Sequence, residues 1–60
     1  MEHARIEIDQ YVLYVPTHAQ NNLQHEAVEK GIVMGKNAEY VFVRFGGDWH
    51  SKACRAQDLR

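Results

Sequence analysis

The pattern of apolar and polar positions along the chain predicts several short β-strands. Residues 11–15 form the first strong signal, a run of strand-forming side chains that ends at Pro16. Proline cannot donate a hydrogen bond to a β-ladder, so the strand is expected to stop there or to lie at an edge. Ile6 and Ile8 alternate with polar neighbours, and this alternation predicts a further short strand before the run.

The second half of the chain predicts a hairpin and one more strand. Residues 31–34 and 40–45 are two apolar runs, and the polar, glycine-containing stretch between them has the length of an ordinary hairpin turn. A second glycine-rich turn leads to a predicted strand at residues 51–54. A closing turn then carries Leu59 towards the core. Several short strands with frequent turns in so short a chain favour a small barrel.

Residues 17–30 are ambiguous by pattern alone. Thr17 and Gln20 have the spacing of a capping box, and apolar residues recur every four positions after it, as in a helix. Asn21 and Asn22 lie where that helix would tolerate them least, because asparagine favours turns. The residues therefore leave both a short helix and an ordered loop open.

Strict alternation assigns the two faces of the strand at residues 40–45. Arg44 must reach water, so Tyr40 and Phe42 are predicted to share its outward side. The alternate apolar positions are predicted to point inward, namely Val41, Val43 and Phe45. Two outward aromatic side chains beside an arginine form a candidate interaction surface.

Composition narrows the class of protein. Sixty residues suffice for a single domain with one hydrophobic core, and a lone cysteine excludes an internal disulfide and suits a reducing compartment. No apolar run is long enough to cross a membrane and no signal peptide is recognisable, so we expect a soluble, cytoplasmic protein. The net charge is −1, with −3 in residues 1–30 and +2 in residues 31–60, so a local basic face is compatible with the sequence.

Several short segments along the chain are fairly specific as an ordered combination, although each alone is weak. They are Tyr-Val-Pro-x-His-Ala at 14–19, His25, Glu-Lys-Gly-Ile-Val at 29–33, Tyr-Val-Phe-Val-Arg-Phe at 40–45, Ala-Cys at 53–54 and Asp-Leu at 58–59. In these segments and their order, the chain resembles small proteins of unassigned function encoded by tailed phages and prophages, over nearly its whole length. It departs from the family at Val28, where members often have cysteine, and at Ala56, where they tend to have proline.

The resemblance implies an all-β fold, a single SH3-like barrel over residues 1–60 with four to five strands. It also implies a long ordered loop after the first main strand, which favours the loop interpretation of residues 17–30. Production in the cytoplasm of a bacterial host would follow from a phage or prophage origin. The resemblance implies no activity.

Metal and catalytic chemistry find little support in the sequence. Besides His3, the soft ligands are His18, His25, His50 and Cys54, and none has the close-pair spacing of a structural zinc site. Cys54 lies in a predicted strand, where cysteine usually behaves as a small buried hydrophobic residue. No nucleophile-elbow or phosphate-binding glycine pattern is present. We expect no enzyme, no metal and no cofactor.

The remaining candidate is a binding surface formed by Tyr40, Phe42, Arg44 and Trp49. Aromatic side chains with arginine are typical anchors of protein interfaces. We therefore expect a non-enzymatic phage or prophage accessory or regulatory module that contacts a host or phage protein, or a second copy of itself, and no membrane. The alternative is a nucleic-acid-binding barrel similar to KOW or Tudor domains, in which the aromatic rings would stack on bases.

Overall fold

The structure, a computed structural model that describes residues 1–60, consists of one antiparallel sheet of four strands. The strands are β1 (Tyr11–Tyr14), β2 (Glu29–Lys36), β3 (Val41–Phe45) and β4 (Lys52–Cys54), and they lie in the order β1-β2-β3-β4. Single 3-10 turns occur at His3–Arg5, Thr17–Ala19 and Ala56–Asp58, and there is no α-helix. The predicted all-β class is confirmed. None of the helical segments has the length or apolar character to span a membrane.

The sheet is open, because no strand pairing joins β4 to β1. The outer edge of β1 is nevertheless covered by the C-terminal residues. Leu13 and Arg60 exchange two backbone hydrogen bonds of 2.8 Å, and the Val15 amide donates to the Asp58 carbonyl at 2.7 Å. The outer edge of β4 has no such neighbour within the chain.

The hairpin between β2 and β3 contains a β-bulge. Val33 pairs with Val43 and Gly35 pairs with Phe42, so Met34 is the extra residue on β2. Both strands of the hairpin differ in extent from the prediction, since β2 is longer at both ends and β3 begins one residue later. The turn is fixed by the Asn37 side chain, whose oxygen accepts the backbone N–H groups of the two residues that close the turn, at 2.9 and 2.8 Å.

The core lies on one face of the sheet, where every second strand side chain points. Val41, Val43 and Phe45 are buried as predicted, and Leu59 is completely shielded from water. The buried cluster is completed by the remaining inward side chains Ile6, Val12, Val33 and Cys54. Complete burial of an aliphatic side chain of this size contributes about 1.5–3 kcal/mol, so these few residues supply most of the stabilising burial.

Residues 15–28 form an ordered loop, and the helix alternative for this region is wrong. Only Thr17–Ala19 turns helically, as a single 3-10 turn without a side-chain cap. Gln20 and Asn21 both have positive φ angles, 52° and 62°, which an α-helix cannot accommodate. The predicted long loop after the first main strand is therefore present.

The predicted strand around Ile6 and Ile8 is also wrong. His3–Arg5 is a 3-10 turn, and Asp9 has a φ of 71°, so the backbone bends where a strand would have to be extended. Ile6 is buried in the core, whereas Ile8 is 62% exposed. The alternation of apolar and polar residues in this segment therefore does not mark a strand face, because only Ile6 packs into the core.

Strand β2 approaches β3 closely at Gly31, and the effect of a side chain at this position can be tested. A Cβ atom at position 31 would lie 2.5 Å from a Val43 methyl carbon and 2.9 Å from the Arg44 carbonyl oxygen. We expect Gly31→Ala to lower the free energy of unfolding by about 1–3 kcal/mol, measured by urea denaturation. Gly35→Ala is the matched control, since a Cβ atom there meets nothing within 4 Å. Equal midpoints for the two variants would contradict the close approach.

Candidate functional site

The face of the sheet opposite the core, here called the outer face, carries the candidate site. Cross-strand pairing places Tyr11 on β1 opposite Ile32 on β2, and Ile32 opposite Arg44 on β3. Because neighbouring strands are about 4.8 Å apart, these three side chains form one row across the sheet. An aromatic ring, an aliphatic chain and a guanidinium group therefore stand side by side.

This row forms part of a shallow concavity of about 480 Å³, here called the outer groove. Its lining consists of Tyr11, Lys30, Ile32 and Arg44 together with Gly31, Gly46 and Gly47. The Lys30 Nζ atom lies 5.1 Å from the centroid of the Tyr11 ring, at cation–π distance. Tyr11 is 68% exposed although it belongs to a paired strand. The groove is thus an accessible surface that combines apolar and cationic groups.

The outer face continues along β3 through Phe42 and Tyr40. Phe42 lies between Gly35 on β2 and Ala53 on β4, so neither neighbour has a side chain long enough to cover its ring. The Arg55 guanidinium lies 5.6 Å from the centroid of the Tyr40 ring. Both aromatic side chains are half-buried, so they are less accessible than Tyr11.

The charges of the outer face have one sign. Its outward strand positions carry Lys30, Arg44 and, just beyond β4, Arg55, but no aspartate or glutamate. The chain forms two ion pairs, both between sequence neighbours, namely Arg5 with Glu2 and Lys52 with Asp48. The three cations of the outer face therefore have no carboxylate partner within the chain. This face is locally basic in a protein whose net charge is −1.

The four side chains predicted as a partner-binding site are not gathered into one patch. Arg44 lines the outer groove, and Phe42 and Tyr40 follow it along the strand. Trp49 lies in the β3–β4 loop, 91% exposed, and its ring is edge-to-face with that of His50, with centroids 6.5 Å apart. No ring contact joins Trp49 to Tyr40 or Phe42.

Sequence reasoning missed Tyr11, Lys30 and Ile32, which are three of the four residues with side chains that line the groove. A signal for Tyr11 was available, because alternation within β1 puts it on the face opposite Val12. Lys30 and Ile32 alternate in the same way with Gly31 and Val33 on β2. That the two strands pair, and in which register, was not encoded in the local pattern.

The candidate metal ligands do not converge. His18 and His25 are in edge-to-face contact with ring centroids 5.4 Å apart, and His25 Nδ1 accepts the Ala27 backbone N–H at 3.0 Å. His3 is hydrogen-bonded to the Asn37 carbonyl at 2.6 Å. No three histidine, cysteine or acidic side chains come together in a group that could hold a metal ion.

Cys54 is buried on β4 opposite Val41. Burial raises the pKa of its thiol above the ordinary 9.0, the negative charges of Asp58 and Glu29 raise it further, and Lys52 partly opposes them. The thiol donates to the Lys52 carbonyl at 3.7 Å. The surroundings thus disfavour the nucleophilic thiolate, in contrast to those of an activated cysteine.

The environment of Cys54 predicts slow thiol chemistry. A raised pKa lowers the thiolate fraction at a given pH, and burial restricts access of the reagent. We expect the folded protein to react with a disulfide reagent at pH 8 at least about tenfold more slowly than the same chain in concentrated urea. Absorbance of the released thiolate measures both rates. Equal rates would show that the thiol is accessible and its pKa not raised.

The chain matches no protein-family model, no curated protein and no solved structure with which it has been compared. Its function must therefore be inferred from the geometry of the outer face.

Proposed function

We propose that the chain is a non-enzymatic binding module that acts by protein–protein contact through the outer face. The observation that carries the proposal is the outer groove, where the exposed Tyr11 ring, the Ile32 side chain and the unpaired Arg44 lie in one row. Aromatic and arginine side chains are enriched at the centres of protein interfaces. Either a host or phage protein or a second copy of the chain can cover such a surface.

An SH3-like barrel is the architecture that we propose for the module. Two features support it beyond the four-stranded sheet. The long loop at residues 15–28 follows β1, and the 3-10 turn Ala56–Asp58 leads the chain from β4 back to the free edge of β1. The Tyr14–Leu59 bridge then places a short fifth segment beside the first strand.

We also propose that the module is a phage or prophage accessory or regulatory protein that is made in the bacterial host cytoplasm. Support comes from the segments that resemble phage and prophage proteins, which coincide with structurally important positions. Residues 40–45 supply three buried side chains of β3, and residues 29–33 supply the close contact at Gly31. Residues 58–59 supply the buried Leu59. The resemblance thus falls on residues that the fold of this chain requires.

Nucleic-acid binding, as in KOW or Tudor domains, is the second candidate, and the unpaired cations of the outer face favour it. Retention on heparin or DNA resin at moderate salt, with elution by an oligonucleotide but not by an acidic peptide, distinguishes this candidate from a protein-binding role. A nucleic-acid-binding surface loses affinity steeply as the salt concentration rises.

The proposed function predicts that apolar side chains of the outer face are needed for partner capture. Tyr11→Ser and Phe42→Ser should reduce capture of specific proteins from a bacterial lysate, quantified by mass spectrometry, while far-UV circular dichroism stays unchanged. Self-association is tested on the same variants by sedimentation over a range of concentrations.

Ile8→Ser is the matched control, because Ile8 is exposed to a similar degree but does not line the outer groove. Capture and sedimentation that are identical in all of these variants would refute the outer face as the working surface. If Phe42→Ser unfolds the chain, Tyr11→Ser still decides the question, since Tyr11 is largely outside the core.

A further inference from the structure

We infer that the outer groove binds an acidic segment of a partner protein, an extended stretch in which carboxylate side chains recur at every second position. The inference rests on the proposed protein-binding function and names the chemistry of the partner. It follows from the arrangement of Lys30 and Arg44 around Ile32.

The spacing of the two cations fits an extended peptide. Arg44 is directly opposite Ile32, and Lys30 precedes Ile32 by two residues on the same face, so Lys30 and Arg44 are diagonal neighbours. Diagonal cross-strand neighbours are about 7–8 Å apart, and side chains on one face of an extended chain repeat about every 6.8 Å. Two acidic residues separated by one position would therefore reach both cations together.

The electrostatics favour an anionic ligand. The groove lining contains two cations and no carboxylate, although aspartate and glutamate outnumber lysine and arginine in the chain by 8 to 7. The N–H groups of Lys30 and Arg44 therefore remain available as hydrogen-bond donors. A carboxylate is the preferred acceptor, because hydrogen bonds between charged groups are stronger than those between neutral groups. Arg55 lies further along the same face, beside Tyr40, and extends the basic surface beyond the groove.

The groove also has an apolar surface for the aliphatic part of the ligand's acidic side chains. Ile32 is half-buried and contributes an apolar surface between the cations. Gly46 and Gly47 bound the groove without side chains, and a Cβ atom at either position would meet nothing within 4 Å. The methylene groups of the two acidic side chains that face the groove can therefore pack against Ile32 from this open end, while the residue between them points away.

Two features favour an acidic peptide over a nucleic acid. Bases bind to such surfaces by stacking on aromatic rings, but a cation lies over one face of each of two outer-face rings, Lys30 over Tyr11 and Arg55 over Tyr40, which leaves fewer ring faces free for stacking. Proteins that bind the phosphate backbone also commonly use several cations along its path, whereas the groove contains two. A short segment with two or three carboxylates needs no more than that.

The test uses a fluorescein-labelled peptide with three glutamates alternating with valines, and a second peptide in which glutamine replaces each glutamate. Fluorescence anisotropy with the full chain should show binding of the acidic peptide at least about tenfold tighter than that of the glutamine peptide. Binding should weaken as sodium chloride is added, because salt screens exposed charges.

Variants of the two groove cations locate the binding site. Lys30→Gln and Arg44→Gln should each weaken binding of the acidic peptide about three- to fivefold, the upper part of the range measured for single exposed ion pairs. Lys52→Gln is the matched control, because Lys52 is exposed but absent from the groove lining, and it should leave binding unchanged.

Three outcomes would overturn the inference. They are no binding of the acidic peptide up to about 1 mM, equal binding of both peptides, and tighter binding of a labelled oligothymidylate that depends on Lys30 and Arg44. The last outcome would assign the groove to nucleic acid. Lysate capture that depends on Tyr11 but is unaffected by Lys30→Gln and Arg44→Gln would leave the proposed function standing and reject the acidic partner.

Discussion

The alternate burial of side chains along β3 is the constraint on which the rest of the structure depends. Val41, Val43 and Phe45 fill the centre of the core, and β3 pairs on both sides, with β2 and with β4. Because the side-chain period of a strand is two, burial of these three side chains forces Phe42 and Arg44 onto the opposite face. The same residues thus determine both the stability of the domain and the composition of its outer face.

The small core accounts for the close packing between β2 and β3. A chain of 60 residues buries only about 60% of its unfolded surface, so each contact in the core has a large share of the total stability. Gly31 permits Val43 and Phe45 to pack directly against the backbone of β2. Leu59 then completes the core from the C-terminal segment, whose backbone also covers the free edge of β1. Edge protection and core closure are therefore achieved by the same few residues.

The binding preference of the outer face follows from its lack of carboxylate side chains. A surface with lysine and arginine but no carboxylate repels other basic surfaces and attracts acidic ones, and this preference acts on partner choice and association rate. Exposed ion pairs contribute at most about 1 kcal/mol to binding. Burial of the apolar side chains near the cations therefore has to supply the rest of the binding free energy. Ile32 and Tyr11 thus complement Lys30 and Arg44, and a ligand that uses both kinds of contact would be selected over one that uses either alone.

The local sequence was sufficient for features that depend on neighbouring residues. Alternation predicted the buried and outward sides of β3. Burial of Leu59 was predictable because it is an apolar residue directly after a polar turn. The same rule failed at Ile6 and Ile8, because the positive φ of Asp9 and the preceding 3-10 turn bend the backbone there. A two-residue alternation also arises when a single side chain anchors a bent segment.

Tertiary structure alone decided the composition of the outer groove. Tyr11 and Lys30 lie on strands separated by the loop at residues 15–28, and their contact depends on the register in which β1 and β2 pair. That register pairs Val12 with Gly31 on the core side, and it depends on burial of the inward side chains of both strands rather than on propensity within either strand. The sequence by itself therefore determined that Arg44 faces outward, whereas only the folded sheet placed Tyr11, Ile32 and Lys30 beside it.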